Sequence, residues 1–190
     1  MSTALAVQRH VPQLSRVDTY ELSTAGPLYA FLSKHCSSVT GSEYWPDVPP
    51  GEWRGRAQCQ NIEALTYADE SFDLVTSTEV FEHVVNDMNG FREVRRVLRE
   101  TGVFVFTVPL LLDRETIERA RILNGEIEHM EEPEYHDDTI RGEGKVLAFR
   151  TYGVDIVDRL VSAGFREALI DETDTSTFDG DGRAVVIARC

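Results

Sequence analysis

The segment Val103-Phe104-Val105-Phe106-Thr107-Val108, closed by Pro109, is apolar at nearly every consecutive position. A strand with one face in water alternates apolar and polar residues. A strand apolar on both faces needs cover on both, which is the condition of a buried parallel sheet. A second short run, Ser71-Phe72-Asp73-Leu74-Val75-Thr76-Ser77, begins after the polar cluster Ala68-Asp69-Glu70. Between the two runs lies a helical pattern. Asp87 is expected to cap its start, Phe91, Val94, Val97 and Leu98 form its inward stripe, and Gly102 is expected to stop it. Strand, crossover helix and strand make a βαβ unit, and Asn61 to Pro109 is the frame on which the rest of the chain is placed.

Before this frame, Met1 to Arg16 reads as an arm or a first helix. Val17 to Leu22 is a candidate first strand, broken by Ser23-Thr24-Ala25-Gly26-Pro27. Leu28, Phe31 and Leu32 mark a short helix ending near Lys34-His35, and Ser38 to Ser42 a second strand ending at Glu43. Tyr44 to Arg56 holds Pro46, Pro49, Pro50, Gly51 and Gly55 and reads as loop, with Trp45 and Trp53 expected to cover apolar surface. Ala57 to Gln60 is a short third strand. After Pro109 the chain turns acidic and irregular, and Asp113 to Gly144 is expected to be a lid or substrate loop with a helix at Arg114 to Leu123. Val154 to Ala163 reads as a helix with Gly164 as its C-cap. Phe165 to Asp171 and Ala184 to Ala188 are the last strands, joined through the turn signal Asp179-Gly180-Asp181-Gly182. The expectation is one α/β domain over residues 1–190, with a Rossmann-like, doubly wound, seven-stranded sheet and a C-terminal antiparallel hairpin.

Charge narrows the partners. Asp plus Glu number 33 against 19 Lys plus Arg, a formal net charge of −14, and such a surface repels phosphate backbones. Nucleic acid is therefore not expected as a partner. Cys36, Cys59 and Cys190 form no CxxC or Cys/His cluster, so two buried small hydrophobes and a free C-terminal thiol are expected. No run approaches the roughly 20 apolar residues of a membrane span, and the start lacks a signal-peptide pattern. A cytoplasmic protein without a membrane partner is expected.

In a doubly wound sheet, ligands bind beyond the carboxyl ends of the strands. Those ends are Glu21 to Gly26, Glu43, Asn61-Ile62, Thr76 to Glu79 and Thr107 to Leu110. The turn from Glu21 to Gly26 is made of small residues, which let backbone approach a ligand, although a plain tight turn has the same composition. Glu43 lies roughly 20 residues further on, where an acid can take both hydroxyls of a ribose.

With these residues on the page, a resemblance can be named. Asn61-Ile62-Glu63-Ala64-Leu65, Asp69-Glu70-Ser71-Phe72-Asp73-Leu74-Val75, Glu82-His83-Val84, Arg95-Arg96-Val97-Leu98-Arg99 with Thr101-Gly102, and Phe106-Thr107-Val108-Pro109 together resemble a class I S-adenosylmethionine-dependent methyltransferase of the type 11 group. The resemblance implies S-adenosylmethionine as cofactor. It puts the acid and alternating glycines of the family's first motif on Glu21, Ser23, Ala25 and Pro27. Ser, Ala and Pro thus replace glycine, while Gly26 remains. It further implies that Glu43 binds the ribose, that Asn61 and Ile62 contact the adenine, and that Thr78 faces the methionine end.

Methyl transfer is an in-line displacement governed by positioning, so the lack of an evident catalytic set does not argue against it. His83, paired in sequence with Glu82, and His136 are the candidate acid/base residues. Glu131, Glu132, Glu134, Asp137 and Asp138 show no regular ligand spacing and are expected to be solvated acids, with no metal. The expected acceptor is a small molecule or a glycan-type group, and the sequence does not specify oligomeric state. The rival reading is a methyltransferase-like binding protein without catalysis, suggested by the altered first motif. A nicotinamide-dependent dehydrogenase would want the glycine fingerprint that Glu21 to Pro27 does not supply.

Overall fold

The computed structural model describes residues 2–137, 144–172 and 184–190. The chain runs α1 (Ser2–His10), β1 (Asp18–Glu21), α2 (Gly26–His35), β2 (Ser38–Glu43), β3 (Trp53–Arg54), β4 (Ala57–Cys59) and β5 (Phe72–Thr78). It continues through α3 (Asp87–Val97), β6 (Leu98–Thr107), β7 (Leu110–Leu111), β8 (Ile117–Glu118), β9 (Ala120–Leu123), β10 (Glu126–His129), β11 (Tyr135–Asp137), β12 (Lys145–Leu147) and β13 (Arg150–Gly153). It closes with α4 (Ile156–Ser162), β14 (Glu167–Asp171) and β15 (Val185–Arg189).

The main sheet has the order β14-β15-β6-β5-β1-β2-β4-β3. Its central strands β4, β2, β1, β5 and β6 are all parallel, and the order reverses between β1 and β5. β15 pairs antiparallel with both β6 and β14, which is the expected terminal pair. The expected turn at Asp179 to Gly182 lies outside the described residues. Two-residue β3 adds an antiparallel edge inside the proline-rich loop, a strand the sequence does not suggest.

The two-faced apolar pattern explains the layers. In β6, Val103 and Val105 join Leu74, Val185 and Ile187 under α1 and α2, with Ala6, Val7 and Leu32. Phe104 and Phe106 face the other way, where they join Val75, Phe91, Val94, Val97, Ile156 and Leu160 under α3 and α4. Successive residues point to opposite faces, so one apolar strand feeds two cores.

Several expectations are corrected. Asn86, not Asp87, caps α3, its side chain accepting from the Asn89 N–H at 3.1 Å. Asp87 is buried and bonded elsewhere. Helix α3 stops at Val97, and Leu98 and Gly102 both lie within β6. Trp53 is exposed rather than covering apolar surface, and Trp45 instead carries the Arg54 guanidinium over its ring. Cys190 is a free thiol as expected, buried like Cys59, whereas Cys36, expected to be buried, is half-buried.

The largest correction concerns residues 113–137. No helix forms at Arg114 to Leu123. β8 pairs with β13 instead, and β9 and β10 make a hairpin. The hairpin turns at Asn124-Gly125, with φ of +54° and +84°. An Asn-Gly pair accepts two successive positive φ values, and this outweighs the weak helical spacing of Ile117 and Leu123. β11 then pairs with β12 across 138–143, which lie outside the described residues together with Asp138.

Candidate functional site

The carboxyl ends of β1, β2 and β5 and the segment after β4 converge on a two-part hollow. One part is a cavity of about 150 Å³ with apolar walls that include Leu22, Ile62, Val80 and Val84, rimmed by Glu43, Asn61 and His83. A cavity of that size takes one aromatic ring. The other part is an open cleft lined by the turn from Glu21 to Pro27, Gly41 and Thr78. Leu22, Glu43 and Val80 are shared walls, so the two parts lie side by side.

The turn after β1 is held by Glu43. The Thr24 N–H donates to Glu43 Oε1 at 2.8 Å, the Thr24 hydroxyl at 2.7 Å and the Ser23 hydroxyl at 3.3 Å. All three bonds fall on one carboxylate oxygen. The turn can lie this close because Gly41 has no side chain: a Cβ there would stand 2.8 Å from the Ser23 carbonyl oxygen and 2.8 Å from Tyr29. Gly26 begins α2 at φ +88°, a value glycine adopts without strain. Ser23, Ala25 and Pro27 therefore occupy positions the turn tolerates, and glycine stands at Gly26 and Gly41, where geometry requires it. The role of Gly41 is not singled out in the sequence reading, though a glycine inside a strand is a signal of close backbone approach.

Glu21 ends β1 at 2% exposure and receives a hydrogen bond from the Thr76 hydroxyl. Burial is the main cause that raises its carboxyl to about 8; the Thr76 bond opposes the rise and the charge of Glu43 adds to it. The first acid of the motif is thus largely protonated at neutral pH. Asn61 shapes the turn after β4, its Oδ1 accepting from the Glu63 N–H at 2.9 Å. Ile62 is buried in the cavity wall. Thr78 is exposed at the end of β5, and Glu79 beside it holds φ +52°, a sparsely populated conformation for a non-glycine residue.

His83 and His136 come together, although 52 residues separate them in sequence. Phe81–His83 is a short 3-10 turn, not the start of the α-helix. Glu82 is fully buried in it. The His83 and His136 rings pack edge to face with centroids 4.9 Å apart. Glu82 Oε1 lies 3.7 Å from His83 Nε2 and 3.5 Å from His136 Nδ1. Buried Arg150 fixes this turn, donating to the carbonyls of Phe81, Val84 and Val85. The sequence reading did not find Arg150, because an arginine in a short strand carries no signal of which carbonyls it will meet.

With the fold and hollow described, the chain can be set beside known proteins. Residues 23–106 match the profile of a family described as a methyltransferase domain. This segment, which is less than half of the chain, is similar to that methyltransferase domain. The match begins at the turn after β1 and ends in β6, so it takes in most of the hollow but not β1, Glu21 or Leu22. The fold of the methyltransferase domain is shared across nearly the whole chain. An S-adenosylmethionine-dependent methyltransferase from Mesorhizobium loti is 18% identical with a TM-score of 0.64, over 98% of this chain and 96% of that one. A 1,6-didemethyltoxoflavin-N1-methyltransferase from Burkholderia thailandensis, with bound 1,6-didemethyltoxoflavin and S-adenosylhomocysteine, is 16% identical with a TM-score of 0.60, over 99% and 76% of the two chains. An uncharacterised protein of Methanocaldococcus jannaschii is 33% identical over 69 residues, which is 36% of this chain and 29% of that protein. This chain thus spans less than a third of that relative. Among the described residues no helix is long and apolar enough to cross a membrane.

Proposed function

We propose that this chain transfers the methyl group of S-adenosylmethionine to a small-molecule acceptor, small glycans included. The observation that carries the reading is a ring-sized apolar cavity lying beside an open cleft, with Glu43 lining both, largely within the segment that matches the methyltransferase family. The cofactor supplies a methyl group on a cationic sulfonium. The chain has to bind, orient and shield it.

In this reading the adenine enters the cavity against Ile62, Val80 and Val84. Asn61 meets it through the amide N–H₂, because Oδ1 is already engaged by the Glu63 N–H. Glu43 takes the ribose hydroxyls through Oε2, while Oε1 keeps the Ser23–Thr24 turn in place. The methionine end runs along the turn from Glu21 to Gly26 toward Thr78. A cation near Glu21 favours its carboxylate, so the buried acid becomes a counter-ion when the donor binds. The net charge of −14 disfavours a nucleic-acid acceptor, which supports a small molecule. No residue needs to act as base for an acceptor that is already deprotonated.

The test is methyl transfer from labelled S-adenosylmethionine to fractions of small-molecule extract, with the Glu43→Ala variant as control. Label in the wild-type reaction that is lost with the variant supports the reading. A protein that binds the donor and labels no fraction counts against catalysis.

A further inference from the structure

The group Glu82, His83 and His136 has a chemistry that the methyl-transfer reading leaves unused. One ligand atom from each residue lies within 4.8 Å of the others. The two carboxylate-to-imidazole separations, 3.5 and 3.7 Å, are longer than an N–H···O hydrogen bond. They are close to the spacing of about 3.4 Å between two donors that each stand about 2.1 Å from one tetrahedral ion.

The outer contacts set the tautomers. His83 Nδ1 lies 2.9 Å from the Leu147 carbonyl, which can only accept, so Nδ1 carries the hydrogen. In the neutral ring, the lone pair is then on Nε2, the nitrogen nearer Glu82. His136 Nε2 lies 3.1 Å from Glu134 Oε1, which as a carboxylate also accepts, leaving Nδ1 as the lone-pair nitrogen on the side of Glu82. A histidine that binds metal through one nitrogen and donates from the other to a carbonyl or carboxylate is the usual arrangement of a protein metal site, and both rings have it. Glu82 is fully buried, while the His83 and His136 side chains are partly exposed, so an ion has a way in.

We propose that Glu82 Oε1, His83 Nε2 and His136 Nδ1 bind a divalent transition-metal ion of the zinc type beside the ring cavity. Two imidazoles and one carboxylate suit zinc, cobalt or ferrous ions, and a set of three leaves room for a ligand from solution. The ligands come from two separate places, tied together by a third. The 3-10 turn supplies Glu82 and His83, β11 supplies His136, and β12 with its following residues ties the two together through Phe149 N–H to Glu82 O at 2.7 Å and Ala148 N–H to Glu134 O at 2.8 Å.

The experiment is calorimetric titration of the metal-free protein with Zn²⁺, paired with visible absorption of the Co²⁺ form. One equivalent should bind, with cobalt bands typical of histidine ligation. His136→Ala and Glu82→Gln should each weaken binding at least tenfold, and Glu134→Gln by about tenfold through the outer contact. His35→Ala and His129→Ala, which lie outside the group, should leave it unchanged. If Glu82→Gln does not fold, His136→Ala on the short strand β11 and the wild-type cobalt spectrum decide. No binding at one equivalent, or binding that survives His136→Ala with unaltered affinity, overturns the proposal. S-adenosylhomocysteine affinity, measured on the same samples, keeps this outcome separate from the cofactor reading.

Discussion

Replacing Glu21 by glutamine should remove a specific part of the pH dependence of stability. The carboxyl is 2% exposed and rises from an ordinary value of 4.5 to about 8, mainly through burial. The folded state therefore holds a proton that the unfolded chain releases between about pH 4.5 and pH 8. Since the folded form binds the extra proton, stability is greatest below the unfolded value, falls as pH rises through this window, and the contribution is lost above 8. At about 1.4 kcal/mol per unit, the loss is about 5 kcal/mol. Glutamine keeps the shape, stays neutral and still accepts from the Thr76 hydroxyl. Wild type and Glu21→Gln should thus differ little at pH 5, while at pH 9 the variant should be more stable by several kcal/mol. Urea unfolding followed by circular dichroism at pH 5, 7 and 9 measures the difference directly, and other titrating groups cancel between the two proteins. Parallel profiles for the two proteins would refute a buried, proton-holding Glu21.

Three further outcomes test the packing around the site. Gly41→Ala places a Cβ 2.8 Å from the Ser23 carbonyl and should displace the turn that Glu43 holds; S-adenosylhomocysteine affinity should fall at least tenfold with little change in far-UV circular dichroism. Asp87→Ala deletes the acceptor of the Arg159 guanidinium, at 2.7 and 3.0 Å, and of the Tyr152 hydroxyl, at 3.0 Å; breaking this buried pair should cost about 3 kcal/mol in urea unfolding. Asn86→Ala removes the α3 cap and should cost about 1 kcal/mol in the same assay, whereas an undetectable change would argue against the capping bond.

The sheet was legible because its signals are local. Consecutive apolar residues in β6 announce burial on both faces, and the Phe91, Val94 and Val97 stripe announces the helix between β5 and β6. The residues after Pro109 were misread for a physical reason. Ile117 to Leu123 has no strong periodicity of its own, and its strands exist because β13 and β10 pair with them, a nonlocal fact. The Asn124-Gly125 pair is the one local hairpin signal in this stretch. At the site, Glu43 and the turn after β1 lie at adjacent strand ends, as their spacing along the chain implies. The meeting of His83 with His136 was not legible, because it depends on β11 and β12 folding back against the turn at Phe81–His83. Nor could the sequence say that Glu43 would spend one oxygen on Ser23 and Thr24.

The account rests on a nucleoside cofactor seated between the ring cavity and the open cleft, with Glu43 at the junction. Calorimetric titration with S-adenosylhomocysteine tests this most directly. One equivalent should bind, and Glu43→Ala should weaken it by about 1–3 kcal/mol, or roughly 5- to 150-fold. No heat of binding at millimolar ligand, or an affinity that Glu43→Ala leaves unaltered, would contradict the account.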